Sequence, residues 1–104
     1  MYDDIFVDRL IQLRNVKGVS ARDMSLSIGQ NTNYINQIEN RKAFPTMQAF
    51  FYICDYLDIT PSEFFDTENV NPKRTGELFD SIKRLGENQR SALAVIISEL
   101  QKSK

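Results

Sequence analysis

Apolar residues recur along most of this chain at helical spacing. Phe6, Leu10 and Leu13 stand at i, i+4 and i+7, with polar Asp8, Arg9, Gln12 and Arg14 between them. That pattern predicts an amphipathic helix over about residues 3 to 16, ended by Gly18. Ser20-Ala21-Arg22-Asp23 resembles a capping box with Asp in the usual place of Glu or Gln, and Met24 and Ile28 follow on one face, giving a short second helix over about 21 to 28. Gly29 tolerates positive φ and stops it. Asn31 or Thr32 can then cap a third helix running to about Asn40, with Ile35 and Ile38 inward. Pro45 closes a turn, and Thr46 caps a fourth helix whose stripe is Met47, Phe50, Phe51, Cys54 and Leu57. Thr60-Pro61-Ser62-Glu63 joins an N-cap, a proline in the first turn and a capping-box Glu, so Ser62 to Phe65 reads as a fifth, short helix delivering Phe64 and Phe65 to the core.

The pattern then changes. Residues 67–74 are polar and contain Asn71-Pro72, the composition of a linker. Beyond them Leu78, Ile82 and Leu85 form one stripe, and after Gly86 the residues Leu93, Ile96, Ile97 and Leu100 form another. The segment 75–104 thus reads as a helical hairpin whose apolar faces need a partner surface. The expected fold is all-α: a five-helix domain over 1–66, the linker, and the hairpin. No β pattern, repeat or low-complexity segment is present in the sequence.

Composition narrows the chemistry. The 104 residues are 41% hydrophobic and 26% charged, as in an ordinary globular domain, which leaves no room for two full cores. There is no His and a single Cys, so most metal sites, the Ser-His-Asp and Cys-His arrangements and an intrachain disulfide are all disfavoured. An enzyme is not expected, and neither is a cofactor. Cys54 reads as a core residue. The start, Met1-Tyr2-Asp3-Asp4, is acidic where a secretory signal is basic, and no apolar run approaches the roughly 18 to 20 residues that span a bilayer. The expectation is a cytoplasmic protein with no membrane partner.

Charge locates the site. The net charge is −1, yet residues 9–42 hold Arg9, Arg14, Lys17, Arg22, Arg41 and Lys42 against Asp23 and Glu39, +4, and the remainder carries −5. Within this basic segment two short helices meet at a tight turn. The second bears the polar set Thr32, Asn33, Tyr34, Asn36 and Gln37. This is the arrangement of a helix-turn-helix, in which Asn and Gln amides pair bidentately with adenine and Thr bonds a base or packs on thymine's methyl. A solvated helix face is the plain alternative, and Tyr34 could equally pack on a sugar-phosphate backbone or shield the helix.

Residues 6–66 resemble the phage-repressor-like helix-turn-helix family, of the Cro/cI or XRE type. The resemblance rests on Leu10, Leu13-Arg14, Gly18-Val19-Ser20, Met24-Ser25, Gly29, Ile35, Ile38-Glu39, Pro45-Thr46, Leu57 and Phe64-Phe65 in that order. It implies five helices, a recognition helix over about 32 to 40, and a symmetric dimer on a palindromic operator. Thr32, Asn33 and Gln37 match base-reading positions, with Asn36 and Tyr34 nearby; Asn31, Asn40, Arg41 and Lys42 match phosphate-holding positions, to which Arg22 is added. Arg14 matches an arginine that pairs with the glutamate matching Glu39, a structural pair that fixes the recognition helix. Three positions depart from the family pattern: Ala21 where Gln is frequent, Ser25 where Ala is usual, and Arg41 where glycine is usual. Arg41 must then take a left-handed conformation or remodel its turn, while adding a positive charge toward DNA.

The functional expectation is a sequence-specific double-stranded-DNA-binding regulator, a repressor acting as a homodimer through the C-terminal helices. The tail could instead fold back on its own domain. A second reading, from another class, is a protein-interaction module, an antitoxin or anti-repressor. With no room for a sensor domain, control would fall to abundance, proteolysis or a protein antagonist.

Overall fold

The computed structural model describes residues 1–102, and the last two positions of the expected 75–104 hairpin lie outside them. The described chain is all-helical: α1 (Tyr2–Lys17), α2 (Ala21–Ser27), α3 (Tyr34–Glu39), α4 (Met47–Leu57), α5 (Pro61–Phe65), α6 (Pro72–Lys83) and α7 (Glu87–Lys102), with no strand among the described residues. It divides into two compact units, Met1–Lys73 and the residues from Arg74 onward. The linker expected over 67–74 ends early, because α6 begins at Pro72, a residue suited to a first helical turn.

The helices of the first unit are cut at defined places by their caps. Ser20, Thr46 and Thr60 each accept a hydrogen bond from the backbone N–H three residues on, at 3.0–3.1 Å. Only around α5 is the reciprocal bond made, Thr60 N–H donating to Glu63 Oε1 at 2.9 Å. Four helices of this unit end on a left-handed residue, Gly18, Gly29, Arg41 and Asp58, with φ of 76°, 78°, 61° and 58°. At each, the next residue's N–H reaches back to the carbonyl five before it, as Gln30 does to Ser25 and Lys42 to Gln37. This closure satisfies helix-end carbonyls and favours glycine because a Cβ is strained there. Arg41 keeps the turn and accepts that strain.

The core is built from Leu10 and Leu13 of α1, Met24 of α2, Ile35 and Ile38 of α3, Phe50, Ile53, Cys54 and Leu57 of α4, and Phe64 of α5. Phe6 caps it, stacking within 5.2 Å of the Phe64 ring, and Phe64 meets Phe50 edge-on at 5.1 Å. The inward face of α4 is rotated from the expected stripe. Ala49 and Ile53 are buried, whereas Met47 and Phe51 are exposed, because α4 meets α1 and α5 on the side that carries Phe50, Ile53, Cys54 and Leu57. Phe65 likewise stays half in solvent while Phe64 is fully buried. Burial pushes the Cys54 thiol up to about 11, with Asp55's charge adding to it.

Arg9 departs most from its expected place. Counted among the polar residues of α1, it is 2% exposed. It donates through Nε to Phe64 O, through Nη2 to Glu63 O at 2.8 Å, and through Nη1 to Gln12 Oε1 at 2.7 Å. The guanidinium thus satisfies carbonyls at the C-terminal end of α5, where a positive charge also suits the helix dipole. Desolvation draws its pKa below the ordinary arginine value, with the charge of Asp66 acting the other way.

In the second unit α6 and α7 leave large apolar side chains in solvent. Leu78, Phe79, Val95, Ile96 and Leu100 are exposed, and no residue of α7 is buried. The turn between the helices is set by Gly86 N–H donating to Gln89 Oε1 at 2.9 Å and by Arg90 donating to Leu85 O at 2.9 Å.

Candidate nucleic-acid interface

The candidate interface lies on α2, α3 and the segments that flank α3. The third helix is shorter than expected. It starts at Tyr34, because Asn31-Thr32-Asn33 forms a turn in which Asn31 Oδ1 accepts from Asn33 N–H at 3.0 Å and Tyr34 N–H bonds Asn31 O at 3.2 Å. Neither Asn31 nor Thr32 caps it: Asn33 holds the N-cap position, without a side-chain bond to the helix. Ile35 and Ile38 fill the core, so Asn33, Asn36, Gln37 and Asn40, at i, i+3, i+4 and i+7, occupy the opposite, exposed face. Thr32 and Tyr34 are half-buried, and Tyr34 packs against the core cluster, where burial raises its phenol pKa. Asn40 Nδ2 donates to Asn36 O at 2.9 Å and to Asn36 Oδ1 at 3.1 Å, so these two amides orient each other.

Three contacts set the attitude of α3. Arg14 forks onto Glu39, Nε to Oε2 at 2.6 Å and Nη2 to Oε1 at 2.9 Å, and its Nη1 donates to Val19 O at 3.0 Å. Both side chains are largely buried, 17% and 11% exposed, and hydrogen bonding to Glu39 raises the Arg14 pKa. The pair ties α1 to the end of α3. At the other end Ser25, wholly buried, accepts from Ile35 N–H at 2.9 Å while donating to Ala21 O at 2.7 Å. Its hydroxyl therefore satisfies one of the orphan N–H groups at the start of α3 and bolts that helix to α2. In the sequence Ser25 stands out only as a departure from the Ala usual in the family it resembles; the signal available was a lone hydroxyl on the buried side of α2. Ser25→Ala is expected to cost about 1–2 kcal/mol, since it strands a buried N–H, and to speed hydrogen exchange at Ile35. Native-state exchange checks this, and an unchanged Ile35 rate would contradict the bridge.

The electrostatics correct the linear charge count. The +4 segment is not an open basic face. Arg9 lies beneath α5, Arg14 is paired with Glu39, and Lys17 sits 4.8 Å over the Tyr56 ring. Arg41, expected to present its charge outward, instead donates through Nε to Asp4 Oδ1 at 2.8 Å, with Asp8 Oδ1 3.6 Å from Nη2. Those hydrogen-bonded and neighbouring carboxylates raise its pKa. The acids of α1 are thus folded onto the end of α3, although they lie far from it in sequence. Arg22 and Lys42 are exposed and, among the described residues, have no carboxylate within ion-pair distance. The same residues contain no group of side chains suited to hold a metal ion, and no helix long and apolar enough to cross a membrane.

No family model matches the chain, and neither a curated protein nor a solved structure is matched by it.

Proposed function

We propose that this chain is a sequence-specific double-stranded-DNA-binding regulator of the phage-repressor-like helix-turn-helix type, acting as a repressor with α3 in the major groove. The observation that carries the reading is the outer face of α3. Asn33, Asn36, Gln37 and Asn40 are exposed amides on one side of a helix whose other side is pinned to the core by Ile35, Ile38, Ser25 and Arg14. Amides donate and accept together, which suits the adenine edge, and a rigidly held helix keeps them in register with successive base pairs. Arg22 and Lys42 supply phosphate contacts on either side, and Asn31 and Asn40 supply neutral ones. Arg41 joins them only when released from Asp4.

A single unit of this size makes a small interface, and a two-fold dimer reading half-sites about 34 Å apart multiplies affinity. The exposed apolar side chains of α6 and α7 support dimerisation through the C-terminal helices. They also support the second reading, a protein-interaction module whose tail masks a partner or receives an antagonist. The chain is not assigned a catalytic role or a cofactor.

Selection of sites from a random duplex pool by the full-length protein tests the proposal. A palindromic consensus is expected, and Asn33→Ala and Gln37→Ala should each weaken the selected site by about 1–3 kcal/mol per lost amide pair and relax preference at the contacted base. Failure to enrich any sequence at low salt would sink it, and a stoichiometric foreign protein co-purifying through residues 75–104 would favour the second reading.

A further inference from the structure

Arg41 is placed unusually for a cation next to a proposed reading helix. Its backbone is fixed: it is the left-handed residue that closes α3, with Arg41 N–H bonded to Ile38 O at 3.0 Å and Lys42 N–H to Gln37 O at 2.8 Å. Only the side chain is free to choose a partner. It closes on α1, where Asp4 and Asp8 stand one helical turn apart and face it together, at 2.8 and 3.6 Å. Asp4 Oδ2 also lies 3.7 Å from the Met1 ammonium, so its charge is shared. All three partners are solvent-exposed, at 46%, 58% and 74% for Arg41, Asp4 and Asp8. An exposed pair of this kind is weak enough to be exchanged, and a phosphate offers the planar guanidinium a bidentate acceptor of greater charge.

We infer that Asp4 and Asp8 hold Arg41 in reserve, so that the phosphate backbone of a duplex must displace them to recruit the guanidinium. The inference rests on the DNA-binding reading above. It makes α1, which carries none of the reading side chains, a determinant of affinity: its two carboxylates occupy the cation nearest the end of α3 and lower the number of phosphates the resting protein engages. Occupancy is distinct from simple repulsion of DNA by acidic residues, because repulsion persists when the arginine is removed and occupancy does not.

The test uses the full chain and a short random-sequence duplex, followed by fluorescence anisotropy across a series of salt concentrations. The variants are Asp4→Asn, Asp8→Asn, Arg41→Ala and Asp4→Asn combined with Arg41→Ala. Glu68→Gln, an exposed acid outside this cluster, controls for net charge. Asp4→Asn is expected to tighten binding and to steepen the log–log salt slope by about 0.9, one additional phosphate, so that a fourfold rise in salt costs it roughly threefold more affinity than the wild type loses. In the Arg41→Ala background the same substitution should change nothing. A gain that survives without Arg41, or that Glu68→Gln reproduces, overturns the inference in favour of net charge. A wild type that binds while Asp4→Asn binds no better overturns it alone, leaving the DNA-binding reading in place. No binding by any variant at low salt removes both.

Discussion

Replacing Arg9 with alanine is expected to be among the most damaging substitutions in the chain, lowering the unfolding free energy by about 3 kcal/mol. The guanidinium makes three hydrogen bonds from a site almost closed to water, two of them to the main-chain carbonyls of Glu63 and Phe64. Bonds to a charged donor contribute about 1.5–3 kcal/mol each before desolvation of the ion is counted; the buried Phe64 carbonyl loses its donor, while Glu63 O keeps the Asp66 N–H at 3.3 Å. The five residues of α5 cannot form a helix by local propensity, so their hold on the core depends on this anchor and on Phe64. Arg9→Met keeps much of the volume and should recover part of the loss; Arg9→Lys keeps the charge without the fork and should recover little. Urea unfolding followed by circular dichroism reads all three. An Arg9→Ala midpoint equal to that of the wild type would show that α5 is held by its aromatic residues alone.

Glu39→Ala ranks next. It strands the Arg14 guanidinium in a site only 17% exposed, and breaking a pair so enclosed should cost about 2–3 kcal/mol, below the range for fully buried pairs because some water reaches it. Arg14 also holds Val19 O, so the turn between α1 and α2 loosens with it. Removing both partners should be less harmful than the sum of the two single losses, since the double variant buries no lone charge. A double-mutant cycle is therefore expected to return a coupling above about 1 kcal/mol. Additive losses would show the two side chains to be independent, and α3 would then owe its attitude to Ser25 and the core.

The elements of the first unit were legible because their signals are local. Ser20, Thr46 and Thr60 cap three residues ahead, Gly18 and Gly29 stop helices where the chain needs positive φ, and Phe50, Cys54 and Leu57 repeat at helical spacing. The start of α3 was misplaced because Asn31 competes for the backbone as a turn former, a choice that propensity does not decide. What escaped was non-local. Arg9 looks polar on α1 until the carbonyls of residues more than fifty positions away fold over it. Arg41 was expected either to take a left-handed conformation or to remodel its turn, and it takes the first, but its acidic partners come from the first turns of α1. Their spacing, Asp4 and Asp8 on one face, was the available clue. Of the proposed site, the exposed face of Asn33, Asn36 and Gln37 was readable from order alone, whereas Thr32 and Tyr34, expected beside them, are half-buried, and the contacts that hold the helix became visible only in three dimensions.

At six residues, α3 is below the length at which a helix persists by itself. Its helicity is lent by neighbours: Ile35 and Ile38 inside, Ser25 at the start, Arg14 at the end. The outward amides contribute almost nothing to that loan. Substitutions there are thus nearly free of folding cost, and the face can be rewritten residue by residue while the scaffold stays as it is. If that face reads DNA as proposed, the chain can change what it recognises quickly, through variation confined to a few codons, without first having to find compensating mutations elsewhere.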